Sequence, residues 1–154
     1  MGKTPDSQTF ALQFNYGWRS KLYLKSTPIS YLVNFTPYIN YNYPKRDEGS
    51  KRDVVIGLGF SPLGFEIQKK LNNKIGLVLN TSGGFILIDK TFPTDKGRRM
   101  NYTFSLSPGL IFQTNQTLFF LLGYKFHHIS NAQTGSENPG IDSNFIFFST
   151  QLTL

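Results

Sequence analysis

The chain has 154 residues, no cysteine and a formal charge of +7. This length fits a single domain, and the missing cysteines exclude a fold held together by disulfides. The basic balance favours an anionic partner, such as nucleic acid, a phospholipid surface or a phosphorylated glycolipid. No apolar run reaches the roughly 18 to 20 residues of a transmembrane helix. The N-terminal residues 1–7 lack an apolar signal core, so the chain is either cytosolic or a form from which a signal has been removed.

Frequent aromatic residues (16%) and 14 glycines favour β-structure. Large apolar residues alternate with small polar residues along most of the chain, which is the period of a β-strand. Residues 1–28 hold two short segments, and six longer ones follow. The predicted strands therefore cover about eight segments: 10–18, 21–25, 29–43, 56–67, 75–87, 102–112, 118–130 and 144–154.

Two local features set the phase of the alternation. In the predicted strand 29–43, Phe35, Pro37, Ile39 and Tyr41 share one face. In the strand 56–67 the phase slips by one residue at 61–62, which predicts a β-bulge. Tight turns are predicted at 71–74 and 115–116, where asparagines favour chain reversal.

The two faces of these strands differ in an informative way. One face carries Phe, Tyr, Leu and Ile, and the other carries Ser, Thr, Asn, Gln and Gly, while charges are concentrated in alternate loops. Soluble barrels place large residues inward and charges outward, whereas this pattern is typical of membrane barrels. We therefore predict an all-β fold, an eight-stranded antiparallel transmembrane β-barrel of the outer-membrane type, with residues 1–154 forming one domain. A soluble barrel that carries an apolar ligand is the alternative fold.

The loops define an orientation for this barrel. In bacterial barrels the last strand ends in the periplasm, so the tight turns face the periplasm and the loops 44–53, 89–100 and 131–143 face outward. Eight strands leave no wide pore, which disfavours general diffusion. The first two loops are rich in basic residues, which suit phosphorylated lipopolysaccharide, although ordinary solvated loop charges also explain them. These residues are Lys45, Arg46, Lys51, Arg52, Lys90, Lys96, Arg98 and Arg99.

The predicted strand 118–130 carries a candidate site. Lys125 would be costly against lipid, so it should face inward, and residues of the opposite parity, among them His128 and Ser130, should face outward. Asp142 shares the parity of the outward residues in the last strand. Serine, imidazole and carboxylate can act as nucleophile, base and orienting group. The alternative is a polar strand end with no catalytic role, and His127, of inward parity, is interpreted as an interior or rim histidine.

The same residues carry a family resemblance. The segment His128-Ile-Ser-Asn-Ala, followed by Asn138-Pro-Gly-Ile-Asp142, resembles the signature of the outer-membrane lipid A 3-O-deacylases of the PagL type. That signature is His-x-Ser-Asn-Ala and then Asn-x-Gly-Ile, an acid and Ser. The resemblance is specific near the C-terminus and extends to the other strands only in their rhythm. It implies a barrel that removes the ester-linked acyl chain from position 3 of lipid A.

The resemblance also implies roles for individual residues. Ser130 would be the nucleophile, His128 the general base and Asp142 the acid, where the family commonly has Glu. Glu137 in the same loop is a competing candidate for the acid. Asn138 and the backbone N–H of Gln133 would form the oxyanion hole, although the family usually has Gly at the latter position. We predict four substrate contacts near this site and in the basic loop: Asn131, Phe126, Arg98 and Arg99.

The expected chemistry needs no cofactor and no metal, and two histidines without cysteine do not make a zinc site. The expected partner is lipid A or lipopolysaccharide in the bacterial outer membrane, with no nucleic acid, and a homodimer is compatible with the sequence. The alternative function is a non-enzymatic outer-membrane barrel for structure, adhesion or surface binding. The acyl-chain preference, the oligomeric state and the choice between Asp142 and Glu137 stay open.

Overall fold

A computed structural model describes residues 7–44, 51–94 and 96–153. These residues form one antiparallel sheet of seven strands paired in chain order. They contain no helix, and so none that is long and apolar enough to cross a membrane. The strands are β1 (Gln8–Leu24), β2 (Thr27–Pro44), β3 (Arg52–Lys70), β4 (Ile75–Phe92), β5 (Arg98–Gln113), β6 (Leu118–Ser130) and β7 (Ile141–Leu152).

The two faces of the sheet differ as the alternation predicts. In β4, Leu77 and Leu79 are exposed while Val78 between them is buried. In β7, Ile146 is 79% exposed and Phe148 is 68% exposed. The large apolar side chains thus lie mainly on the exposed face, which we call the outer face, the reverse of a soluble barrel. The predicted all-β fold and the outward direction of its apolar faces are confirmed.

The inner face of the sheet packs against itself. Its main buried cluster draws side chains from β2, β3, β4, β6 and β7, and Ala11 of β1 packs against them. Two polar contacts cross the interior: Lys125 Nζ in β6 donates to Gln13 Oε1 in β1, and Gln68 Nε2 in β3 donates to Gln151 Oε1 in β7 at 3.2 Å. Strands that are distant in the pairing order therefore meet inside, which requires a strongly curled sheet.

The two ends of the sheet differ in their connections. The turn after β3 is closed by Asn72 Oδ1, which accepts from two backbone N–H groups, and Asn115 Oδ1 does the same after β5. Both predicted tight turns are confirmed, and they lie at one end, which we call the turn end. The longer connections after β2, β4 and β6 lie at the other end, the loop end. Of the basic loop residues, Lys45 and Arg46 lie outside the described residues.

The N-terminal region departs from the prediction. The segments 10–18 and 21–25, predicted as two strands, are one continuous strand, β1, and the chain reverses only at Lys25, where φ is 55°. A register shift between Arg19 and Tyr23 interrupts the alternation in β1. This irregularity explains the apparent break, because three residues of β1, 20–22, lie opposite one residue of β2, so the regular alternation is lost there. The described residues therefore hold seven strands.

Bulges also set the phase of β2 and β3. The predicted slip at 61–62 is confirmed by register shifts between β3 and both neighbours. A second bulge, in β2 between Thr36 and Ile39, was not predicted. It leaves Phe35 exposed and turns Ile39 and Tyr41 into the interior, so their placement on one face with Phe35 is wrong. Pro37 lies in this bulge, which is one of the few places where a strand tolerates the missing N–H.

Candidate active site

β6 presents two different sets of side chains at the loop end. His127 is buried in the interior, where its Nδ1 lies 3.0 Å from Ser105 Oγ. Lys125 also points inward, toward Gln13. His128 and Ser130, of opposite parity, lie on the outer face in line with the exposed Leu122. The inward direction of Lys125 and His127, predicted from charge and parity, is confirmed.

The outer face joins His128 to one carboxylate. Asp142 is the register partner of His128 across the β6–β7 pair, and His128 Nδ1 lies 2.6 Å from Asp142 Oδ1. A carboxylate accepts, so the Nδ1–H of a neutral imidazole donates this bond and leaves a lone pair on Nε2. Glu137, the competing candidate, lies instead 3.6 Å from Lys96 Nζ. The geometry thus joins His128 to Asp142, with Glu137 turned to another partner.

Ser130 lies two residues beyond His128 on the same face. Two residues along a strand separate Cα atoms by about 6.6 Å, so both side chains must turn toward each other to meet. Although both residues are described, no hydrogen bond joins Ser130 Oγ to His128 in this structure. Catalytic hydrogen bonds in enzymes without substrate are often long and tighten only when substrate binds. The structure therefore places the three side chains on one face and hydrogen-bonds two of them.

The loop between β6 and β7, residues 131–140, is organised around Asn131. This residue is 0% exposed, and its side-chain Nδ2 donates to Glu137 O at 2.7 Å. Its backbone carbonyl accepts from the N–H of Thr134 at 3.0 Å and from the Thr134 hydroxyl at 2.7 Å. These bonds hold the loop in one shape. The prediction that Asn131 contacts substrate does not fit this burial, because its side chain has no exposed surface.

The two predicted oxyanion donors lie in this loop. Asn138 Oδ1 accepts the backbone N–H of Asn131 at 2.9 Å, which fixes the orientation of the amide and leaves its NH2 group to donate elsewhere. Gln133 is exposed and has a φ of 61°, in the left-handed region that favours glycine. The chain therefore keeps the conformation that suits the glycine of the family pattern, with glutamine in its place.

Replacing Gln133 with Gly is expected to stabilise the protein by about 0.5–1 kcal/mol. A non-glycine residue in the left-handed region costs about 1–2 kcal/mol, and the greater entropy of glycine in the unfolded chain offsets part of the gain. Urea unfolding in detergent micelles would measure this change. Gln113→Gly, in β5, is the control and should destabilise; a destabilised Gln133→Gly variant would contradict the expectation.

Gly140 touches the imidazole, a contact that the sequence analysis did not identify. Its φ is 61°, and a Cβ added to it would lie 3.1 Å from His128 Cε1. The Pro-Gly pair before the last strand was the available signal, because it marks a turn that needs a residue without a side chain. Gly140 thus lets the loop lie against the ring of His128.

If His128 is the general base that the resemblance implies, replacing Gly140 with Ala should lower the turnover rate by about 10- to 100-fold, because displacing a catalytic group by about 1 Å can cost 100-fold. The methyl group must move either the loop or the His128 ring. Lipid A deacylation, the activity that the sequence resemblance implies, would measure the effect in the purified variant. Gly83→Ala in β4 is the matched control, since its added Cβ would meet only Thr103 O, at 3.8 Å. Equal activity of the two variants would show that the contact with His128 is unimportant.

The remaining predicted substrate contacts lie in different surroundings. Phe126 is half-buried on the outer face, two residues from His128 toward the turn end. Arg98 donates from Nε and Nη2 to Thr134 O at 2.9 and 2.6 Å. Arg99 Nε donates to Ile88 O at 3.1 Å. Phe126 is thus available to an apolar ligand on the wall, while both arginines already bind backbone carbonyls.

Comparison with known proteins identifies a family and a similar fold. The sequence model of the family "Lipid A 3-O-deacylase (PagL)" matches residues 9–151, from β1 to β7. A solved structure described as the crystal structure of the outer membrane enzyme PagL is similar, with a TM-score of 0.72 and 18% identity. That similarity covers 96% of this chain and 91% of the other, and at this identity it shows the fold alone. No curated protein sequence matches the chain significantly.

Proposed function

The chain belongs to the lipid A 3-O-deacylase (PagL) family, and we propose that it hydrolyses the 3-O-acyl ester of lipid A in the bacterial outer membrane through Ser130, His128 and Asp142. One observation carries the assignment of residues. His128 Nδ1 is hydrogen-bonded to Asp142 Oδ1 at 2.6 Å on the outer face, two residues from Ser130 on the same face. A carboxylate that orients an imidazole next to a hydroxyl is the arrangement that activates serine.

The proposed reaction is acyl transfer through a covalent intermediate. Ser130 Oγ attacks the ester carbonyl carbon while His128 Nε2 takes the hydroxyl proton. As the bond from the carbonyl carbon to the sugar oxygen breaks, the imidazolium returns that proton to the sugar oxygen. Water, deprotonated by His128, then attacks the acyl carbonyl carbon. The bond from this carbon to Ser130 Oγ breaks, the imidazolium returns the proton to Oγ, and the fatty acid is released. Asp142 stabilises the imidazolium in both steps and keeps the Nδ1–H tautomer.

The loop 131–140 is proposed to stabilise the oxyanion. The amide of Asn138 is oriented by the backbone N–H of Asn131, so its NH2 group is available to the developing negative charge. The N–H of Gln133 is the second proposed donor. Donors that are already fixed before the reaction cost no reorganisation, and each contributes about 100- to 1,000-fold in comparable hydrolases.

The proposed setting is a closed membrane barrel with its loop end outward. The exposed apolar face, the shared interior of distant strands and the separation of short turns from long loops support it. Of the seven described strands, β1 and β7 run in the same direction. A closed barrel with only antiparallel neighbours therefore needs an even number of strands, whereas the described residues provide seven.

The outer wall suits a substrate that is itself a lipid. On the outer face, β5 and β6 place Phe104 directly beside His128 and Leu106 beside Phe126. An acyl chain lying against these side chains would bring its ester to Ser130 near the outer leaflet. All proposed site residues come from one chain, so the mechanism does not require the homodimer that the sequence allowed.

Mass spectrometry of lipid A from cells with and without this protein tests the proposal. Cells that produce it should lose the 3-O-acyl chain from lipid A and release the corresponding free fatty acid. Unchanged lipid A, with the folded protein present in the outer membrane, would overturn the proposal. That result would favour the non-enzymatic barrel predicted as the alternative.

A further inference from the structure

The loop that carries the proposed oxyanion donors is held from outside by a neighbouring segment. Arg98, the first residue of β5, reaches the loop 131–140 and donates from Nε and Nη2 to Thr134 O, at 2.9 and 2.6 Å. Lys96 lies beside the same loop, and its backbone carbonyl accepts the N–H of Glu137 at 3.3 Å. Gly135 also lies close to this carbonyl, because a Cβ added to Gly135 would be 3.0 Å from Lys96 O. The two segments are therefore in direct contact.

Among these contacts, the guanidinium has the greatest capacity to fix the loop. The ion pair between Lys96 and Glu137 is long, at 3.6 Å, and both side chains are substantially exposed, so water and salt weaken it. Arg98 is also exposed, but it places two N–H groups of a rigid, planar fork on one carbonyl oxygen, at 2.9 and 2.6 Å. Such a fork restrains the direction as well as the position of the Thr134 peptide.

A continuous chain of hydrogen bonds leads from Arg98 to the oxyanion donors. Thr134 O accepts from Arg98, and the N–H and hydroxyl of Thr134 donate to Asn131 O at 3.0 and 2.7 Å. The N–H of Asn131 in turn donates to Asn138 Oδ1 at 2.9 Å. Gln133, the second proposed donor, directly precedes Thr134. A displacement of Thr134 would thus reach both donors.

We propose that Arg98 is a positioning residue for the catalytic loop, holding Thr134 so that Asn138 and Gln133 keep the geometry of the oxyanion hole. This inference rests on the proposed deacylase function and replaces the predicted role of Arg98 as a substrate contact. A residue that acts on the oxyanion hole affects the transition state, whereas a residue that binds a lipid phosphate affects the ground state as well.

The test is the steady-state deacylation of lipid A by the purified wild-type and Arg98→Ala proteins in detergent. We expect kcat to fall by about 10- to 100-fold, the scale of a misplaced catalytic group, with KM changed by less than about threefold. Arg52→Ala is the matched control, because Arg52 also lies at the loop end and donates from Nε and Nη2, but to Asn42 in β2. A general loss of rim charge would affect KM equally in both variants.

Two further variants separate positioning from simple folding. Arg98→Lys keeps the charge without the fork and should restore only part of kcat. In an Asn138→Ala background, Arg98→Ala should cost less than it does alone, since one of the two donors that it positions is already missing. A raised KM with unchanged kcat, or full additivity with Asn138→Ala, would overturn the inference. An inactive wild-type protein would instead overturn the proposed function.

Discussion

Replacing Ser130 with Ala is expected to reduce lipid A deacylation by at least about 10,000-fold. Without the hydroxyl there is no nucleophile to form the acyl-enzyme, and only the oxyanion donors and substrate binding remain. Removing one triad member from other serine hydrolases lowers the rate by about this factor or more. The release of free fatty acid from lipid A by purified protein in detergent would measure the loss. The fold should be kept, because Ser130 lies at the end of β6 and outside both buried clusters.

The control for this variant is Ser136→Ala. Ser136 is an exposed serine of the same loop, and it has no place in the proposed reaction. Its substitution should leave the rate close to wild type. Heat-modifiable gel mobility would show that both variants still form a folded barrel. Full activity of a folded Ser130→Ala protein would exclude Ser130 as the nucleophile and leave the family activity without an assigned mechanism.

The strand pattern could be predicted because each strand of the sheet has two different environments. Where large apolar and small polar residues alternate without interruption, as in β4 and β5, the predicted and observed faces agree. Alternation also predicted the outward direction of His128. A charged Lys125 would be costly against lipid, so it points inward, and His128, of the opposite parity, points outward. Strong local energetic preferences of this kind are readable without knowledge of the tertiary structure.

The errors in strand assignment arise where extra residues in one strand interrupt the regular pairing with its neighbour. The bulge between Thr36 and Ile39 turned Ile39 and Tyr41 inward, although the residues on either side still alternate. The irregularity after Arg19 made one strand resemble two. The alternation of apolar and polar residues does not state whether a break is a turn or a bulge, since the answer depends on the register with the neighbouring strand.

The roles of loop residues depend on contacts between segments that are distant in the sequence. Asn131 directly follows Ser130, and in this structure it is buried and its side chain donates to Glu137 O. Arg98 is 36 positions from Thr134, the residue that it holds. Sequence proximity to the motif and to the basic loop assigned Asn131 and Arg98 to substrate, whereas in this structure both side chains donate to backbone carbonyls.

Replacing Asp142 with Asn is expected to lower the deacylation rate by about 10,000-fold. The side chain keeps its shape, but its NH2 group can donate to His128 Nδ1. The imidazole proton then lies on Nε2, and Nε2 can no longer accept the proton of Ser130. The equivalent change in another serine hydrolase has an effect of this size. The bond that would be altered is the 2.6 Å contact between His128 Nδ1 and Asp142 Oδ1. Rates on purified lipid A would measure the loss.

Two companion variants decide which carboxylate serves His128. Glu137→Gln should change the rate by less than about fivefold, because it removes only an exposed ion pair with Lys96, worth at most about 1 kcal/mol. Asp142→Glu, which restores the commoner family residue, should keep most of the activity, since either carboxylate can orient the imidazole. Loss of activity in Glu137→Gln with a normal rate in Asp142→Asn would make Glu137 the acid. The loop would then have to release Glu137 from Lys96 and displace Asp142 from the register position that it shares with His128.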